Sequence, residues 1–157
     1  MRFDRHDALI QTLLHSHVTS NSEENLKALT SSGLSPIALR HGLSEGETWH
    51  DELVQRCRSI TFKNLKLAAE MSHLCALALS RDLRLVPWKG PSLTVALYHD
   101  LSLRPFNDLD FLIADHQLDD VVSLLQSEGY LAQSPHDEHA HLLPLDSRCS
   151  IEFWHPT

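Results

Sequence analysis

The sequence predicts an α+β protein, with a helical N-terminal lobe over 1–80 followed by a small α/β unit over 81–157. Three observations carry this expectation. From Trp49 to Ala78, apolar side chains recur at every third or fourth position, the period of one helix face. Near residue 83 that period gives way to short apolar runs of strand length, punctuated by Lys-Gly-Pro, Arg-Pro and Gly. The 157 residues are 42% hydrophobic and 22% charged, which is enough apolar material to build a core without disulfides or a structural metal.

The lobe opens on Leu9, Ile10, Leu13 and Leu14 at helix spacing, and the polar stretch His15 to Ser22 closes that helix. Ser20 and Glu23 stand at capping-box spacing and start a second helix through Leu29. Ser32-Gly33 and Pro36 break it, leaving a short helical turn from Ile37 to Arg40. Ser44 and Glu47 repeat the box ahead of the longest helix. Its stripe comprises Trp49, Leu53, Cys57, Ile60, Asn64, Leu67, Met71, Leu74 and Ala78. Core packing explains such a stripe, and its one polar member, Asn64, is expected to make a structural hydrogen bond.

Leu83, Leu85, Val86 and Trp88 then read as a strand ending at Lys89-Gly90-Pro91. Pro91 suits the first turn of a helix whose buried face would be Leu93, Ala96 and Leu97. Asp108 to Ala114 reads as a second strand, and Leu118 to Glu128 as an amphipathic helix stopped by Gly129. Tyr130 to Ala132, His139 to Leu145 and Cys149 to Trp154 complete the set as strands.

Composition narrows the function. Thirteen basic against twenty-one acidic residues leave a net charge of −8, which disfavours a broad nucleic-acid surface. Cys57, Cys75 and Cys149 are odd in number with no paired spacing, so reduced thiols are expected. The N-terminus lacks a continuous apolar signal core, and the longest apolar run, Leu74 to Leu79, is too short for a membrane span. A soluble, cytoplasmic chain is the expectation.

The chemistry gathers in two segments, Lys89-Gly90-Pro91-Ser92 and Arg104-Pro105-Phe106-Asn107-Asp108-Leu109-Asp110. On a strand, Asp108 and Asp110 leave the same face with Cα atoms roughly 6–7 Å apart. Carboxylates that close repel unless a cation lies between them, and oxygen-only ligands favour magnesium or manganese. Glu152, on a later strand, supplies a third carboxylate if that strand lies beside the Asp108 strand. Gly90 opens a helix whose free N–H groups favour phosphate, with Lys89 adjacent. Arg104 could reach phosphate or buttress the carboxylates. Each piece alone is also what a solvated strand edge and an ordinary helix start would show; their order is what points to a site.

That order resembles the uncharacterised nucleotidyltransferase family of the DNA polymerase β superfamily, in which Lys-Gly, a helix, Arg-Pro, Asp-hydrophobic-Asp and a later acid follow one another. Here these are Lys89-Gly90, Arg104-Pro105, Asp108-Leu109-Asp110 and Glu152. The resemblance implies a small mixed sheet of polymerase β type and metal-dependent use of a nucleoside triphosphate, with ATP the first choice. It implies catalytic and metal-binding roles for Asp108, Asp110 and Glu152, with phosphate contacts from Lys89, Gly90, Ser92 and Arg104. Two local features depart from it: Pro91 separates Gly90 from Ser92, and the aromatic pair after the acid reads Trp154-His155. Because the sequence stops five residues past Glu152, a C-terminally truncated core, or one completed by a protein partner or a second copy, is expected.

Two other readings fit parts of the sequence. His136, His139 and His141 could bind zinc or nickel, or simply form the polar face of a hairpin. The same fold could also serve as a non-catalytic nucleotide-binding or antitoxin-like regulatory module. The expectation is a nucleotidyltransferase acting on a hydroxyl of a small molecule, a protein or RNA.

Overall fold

The computed structural model describes residues 22–42, 44–132 and 153–154. In chain order these form α1 (Ser22–Ser31), α2 (Ser35–Arg40), α3 (His50–Ser80), β1 (Val86–Trp88) and α4 (Gly90–Tyr98). Next come β2 (Asp110–Leu112), a 3-10 turn (Asp115–Gln117), α5 (Leu118–Ser127), β3 (Leu131–Ala132) and β4 (Phe153–Trp154). The fold class is α+β. The expected helix around Leu9, the strand at His139 to Leu145, the histidine cluster, Cys149 and Glu152 lie outside the described residues.

β1 pairs with β2, and β3 pairs with β4 in a separate sheet. The second pair is antiparallel, with Leu131 opposite Trp154 and Ala132 opposite Phe153. Among the described residues, the strand that follows Glu152 is thus bonded to β3 rather than to the strand carrying Asp110.

The chain divides into two compact units: Met1–Ser72 with Pro87–Asp110, and His73–Val86 with Phe111–Thr157. In the first, Leu26 and Leu29 of α1, Ala38 of α2 and Trp49, Leu53 and Cys57 form the apolar cluster. In the second, Leu74, Ala78, Leu83, Leu85, Val121 and Leu124 do so. The long stripe of α3 therefore feeds two cores, one from each end of the helix. Burying each of these leucines contributes about 1.5–3 kcal/mol.

Three helices stop in the same way. After α1, Gly33 turns left-handed at φ 72°, while its N–H and that of Leu34 bond back to Thr30 and Leu29. Gly129 does this after α5, at φ 90°, with Tyr130 bonding back to Leu125. After α3 the left-handed residue is Asp82, at φ 59°, which a short polar side chain tolerates. Leu83 then bonds back to Ala78, and both are buried, which locks the exit of the helix.

Three expectations need correction. The helix predicted from Ser44 begins at His50, because the Ser44 hydroxyl is engaged with His50 Nδ1 at 2.8 Å rather than capping a first turn. The strand predicted from Asp108 begins at Asp110, since Asn107 and Asp108 are poor strand formers. The α4 face expected to be buried, Leu93, Ala96 and Leu97, is exposed, and the helix buries Gly90, Pro91 and Thr94 instead. Thr94 tolerates burial because its hydroxyl donates to the Gly90 carbonyl at 2.9 Å. No helix among the described residues is long and apolar enough to cross a membrane.

Candidate functional site

The chain leaves β1 through two consecutive residues with positive φ. Lys89 sits at φ 59° and ψ −145°, a region that glycine enters freely and other residues occupy at a cost of about 1–3 kcal/mol. Gly90 follows at φ 40°. This sharp turn aims α4 with no side-chain cap on its first turn. Pro91 offers no N–H there, so of residues 90–92 only Gly90 and Ser92 carry a backbone N–H.

The same turn closes on the second segment. Lys89 Nζ lies 3.7 Å from Asp110 Oδ2. Gly90 packs on the Asp108 backbone, where an added Cβ would stand 3.4 Å from the carbonyl oxygen. The two segments that the sequence singled out, 89–92 and 104–110, are thus assembled within one unit.

The second segment has no regular structure before Asp110, and side chains hold it in place. Asn64, 1% exposed on α3, donates from Nδ2 to the Leu101 carbonyl at 2.6 Å and the Arg104 carbonyl at 2.9 Å. One residue earlier, Lys63 Nζ donates to Asn107 Oδ1 at 2.8 Å, beside Asp108. Asp100 Oδ1 accepts from the Ser102 N–H at 2.8 Å and from its hydroxyl at 2.7 Å. These bonds and the nearby Arg40 hold the Asp100 carboxyl below the ordinary carboxylate range, Ser102 contributing most. Leu103 and Phe106 are buried and anchor the segment from its apolar side.

Asn64 makes the structural bond that the sequence led us to expect. Lys63 was missed, because no local pattern announces a contact between residues 44 positions apart.

The remaining site residues are placed as follows. Asp108 is exposed, and no described residue partners its carboxylate, whereas Asp110 is half-buried beside Lys89. Arg104 is half-buried, and its buried Nη1 has no hydrogen-bond partner among the described residues. The Ser92 hydroxyl donates only to the Met71 sulfur, at 3.7 Å, a weak acceptor. Glu152 lies outside the described residues.

Among the described residues, no three histidine, cysteine or acidic side chains converge on one point. Asp108 and Asp110 offer hard oxygen donors, a donor type that fits magnesium or manganese. Burial pushes the Cys57 and Cys75 thiols up from their ordinary value, the wrong direction for a nucleophilic thiolate.

The family model described as uncharacterised nucleotidyltransferase matches residues 19–155, and the chain belongs to that family. The match spans both the helical lobe and the segments that carried the resemblance. No curated protein and no solved structure matches the chain.

Proposed function

From membership of this family, we propose that the protein transfers a nucleoside monophosphate from a nucleoside triphosphate, ATP foremost, to an acceptor hydroxyl. The observation that carries this reading is the closure of Lys89-Gly90 on Asp108 and Asp110, with a 3.7 Å ion pair across it. It sets an uncapped helix start against the Asp108 backbone and a lysine against the Asp110 carboxylate, with the Asp108 carboxylate two residues away and unpaired among the described residues, an arrangement suited to a triphosphate bound through a divalent cation.

In this reading Asp108 and Asp110 hold magnesium or manganese, with Glu152 as the third carboxylate or the base toward the acceptor. Bound there, the cation neutralises the triphosphate and polarises its α-phosphate. Lys89 exchanges its contact from Asp110 to a phosphate oxygen as the nucleotide enters. The N–H groups of Gly90 and Ser92 bind phosphate oxygens at the helix start. Arg104 turns its unpaired guanidinium nitrogen to the same anion, and Lys63 keeps Asn107, and so Asp108, in position. The acceptor oxygen forms its bond to the α-phosphorus while the bond to the bridging oxygen breaks. Pyrophosphate leaves, and the acceptor proton passes to Glu152 or solvent.

The test is calorimetric titration of the four nucleoside triphosphates with and without magnesium, paired with α-labelled ATP to detect transfer. Wild type should bind ATP only with magnesium, and Asp110→Asn and Asp108→Asn should lose that binding. Transfer in either variant should fall by at least about 100-fold, since each removes charge aimed at the reacting phosphate. Magnesium-dependent binding without transfer would return the non-catalytic module as the better reading. Undiminished transfer in either variant overturns the assignment.

A further inference from the structure

A concave surface in the first unit touches none of the residues given a role at the nucleotide or the cation above. It is an open groove of about 600 Å³ between α2, the first half of α3 and the loop at 100–103, a size in the ordinary range for small-molecule sites. Leu39, Val54 and Leu103 make much of its lining apolar. Phe62 and Leu65 also line it while 68% and 53% exposed, large apolar side chains left in contact with water.

Two guanidinium groups, Arg40 and Arg58, complete the lining, against one carboxylate, Asp100. That carboxylate is already committed. Its Oδ1 accepts two bonds from Ser102, and its Oδ2 pairs with Arg40 at 3.8 Å. Arg58 has no hydrogen-bond or ion-pair partner among the described residues. On a chain whose net charge is −8, the groove therefore presents an uncompensated positive charge beside exposed apolar surface. One cation with an apolar lining suits neither a nucleic-acid backbone nor a triphosphate, which call for several cations on a polar surface. It suits a compact anion with an apolar body.

We propose that this groove binds a small organic acid with an apolar or aromatic body, its carboxylate on Arg58 and its body on Phe62, Leu65 and Leu103. The site stands apart from the transferase reading, because none of its contacts touches the nucleotide or the cation there; Leu103 is shared only as an anchor of the 100–108 segment.

The probe is 1-naphthaleneacetate, compared with 1-naphthaleneacetamide, which has the same body and no charge. Each is titrated into the full chain, isotopically labelled for NMR. The acetate should bind saturably at millimolar concentration, shifting the signals of Thr61, Leu65 and Leu103. The amide should bind about fivefold more weakly, near the upper end of what an exposed charge pair supplies. Arg58→Gln should bring the acetate down to the affinity of the amide, while Arg58→Lys keeps most of the difference. Phe62→Ser should weaken both probes. Added salt should erode acetate binding and spare the amide, which tests the charge without any variant. Equal affinity for acid and amide, an unchanged Arg58→Gln variant, shifts centred on the exposed Val86 and Leu112 instead, or no saturable binding would each overturn the proposal.

Discussion

The two units hold their irregular segments by opposite means. In the unit that carries the candidate site, the stretch from Asp100 to Asp108 hangs on directional polar contacts. Asn64 grips two carbonyls, Lys63 grips Asn107, and Asp100 grips Ser102. In the other unit, the turns around Leu83, Leu85 and Tyr130 are held by apolar packing onto Leu74, Ala78, Val121 and Leu124. Besides the backbone bonds that close its helices, its side-chain ties between distant residues are long and exposed, such as Gln117 to the Arg84 N–H and the Asp82 carbonyl, each at 3.3 Å. Apolar packing is strong but non-directional, whereas a hydrogen bond fixes an atom's position. On the proposed reading the segment presents two carboxylates and an arginine to a ligand, a task that gains from the second kind of restraint.

This contrast can be broken, and the largest expected effect is in the packed unit. Leu124 is fully buried, and Leu124→Ala should cost about 2–5 kcal/mol by leaving a cavity. Chemical denaturation reads this directly, and magnesium–ATP affinity measured on the folded fraction should stay unchanged. Asn64→Leu should cost less, about 1–3 kcal/mol, by stranding the Leu101 and Arg104 carbonyls. It should, however, weaken magnesium–ATP binding roughly tenfold, the equivalent of about 1.4 kcal/mol. If Asn64→Leu unfolds the chain partway but binds nucleotide normally, polar pinning of the site is the wrong description.

A smaller effect sharpens the contrast from the other direction. Lys89 pays for its position with backbone strain, so Lys89→Gly should relieve that strain. After the entropy cost of an added glycine, the net gain in stability should be on the order of 1 kcal/mol. The same substitution removes the partner of Asp110 and should lower nucleotide affinity. A variant both less stable and weaker in binding would mean that the turn is held by the Lys89–Asp110 pair itself.

The two means of restraint also explain what the sequence could and could not disclose. Packing leaves a periodic trace: the stripe from Trp49 to Ala78, the helix stops at Gly33 and Gly129 and the amphipathic helix that carries Leu124 were all readable, because each is a local pattern of side-chain type. The Lys-Gly turn and the acidic pair were readable as motifs. Asn64 betrayed itself as the one polar member of an apolar stripe. Its partners did not, for a bond to a backbone carbonyl 37 or 40 residues away depends on no side chain at the far end. Lys63 was hidden for the same reason. The exposed face of α4 was misread because Leu93, Ala96 and Leu97 have helical spacing, yet it is Thr94 and the glycine turn that face inward. Periodicity identifies an apolar face; it does not say that the face has found a partner.

The smallest expected effect tests one polar pin alone. Asp100 is held below the ordinary carboxylate value of 3.8, chiefly by the Ser102 hydroxyl, then by the Ser102 N–H, with Arg40 adding less. A carboxylate with a lowered folded value contributes stability that is present above its unfolded value and lost as pH falls through the folded one. The contribution should therefore be intact at neutral pH and decline only below about pH 4. Its side chain is 44% exposed, so solvent screens the interaction and the change should be small. Comparing melting temperatures of wild type and Asp100→Asn from neutral pH into this acid range isolates the effect. The gap between them should hold steady, then narrow as Asp100 protonates, and Ser102→Ala should move the narrowing to higher pH. A gap that stays constant to the acid limit would show that the ionised carboxylate does not restrain the loop. The site segment would then rest on Asn64, Lys63 and the buried Leu103 and Phe106, and the two units would differ less in kind than in degree.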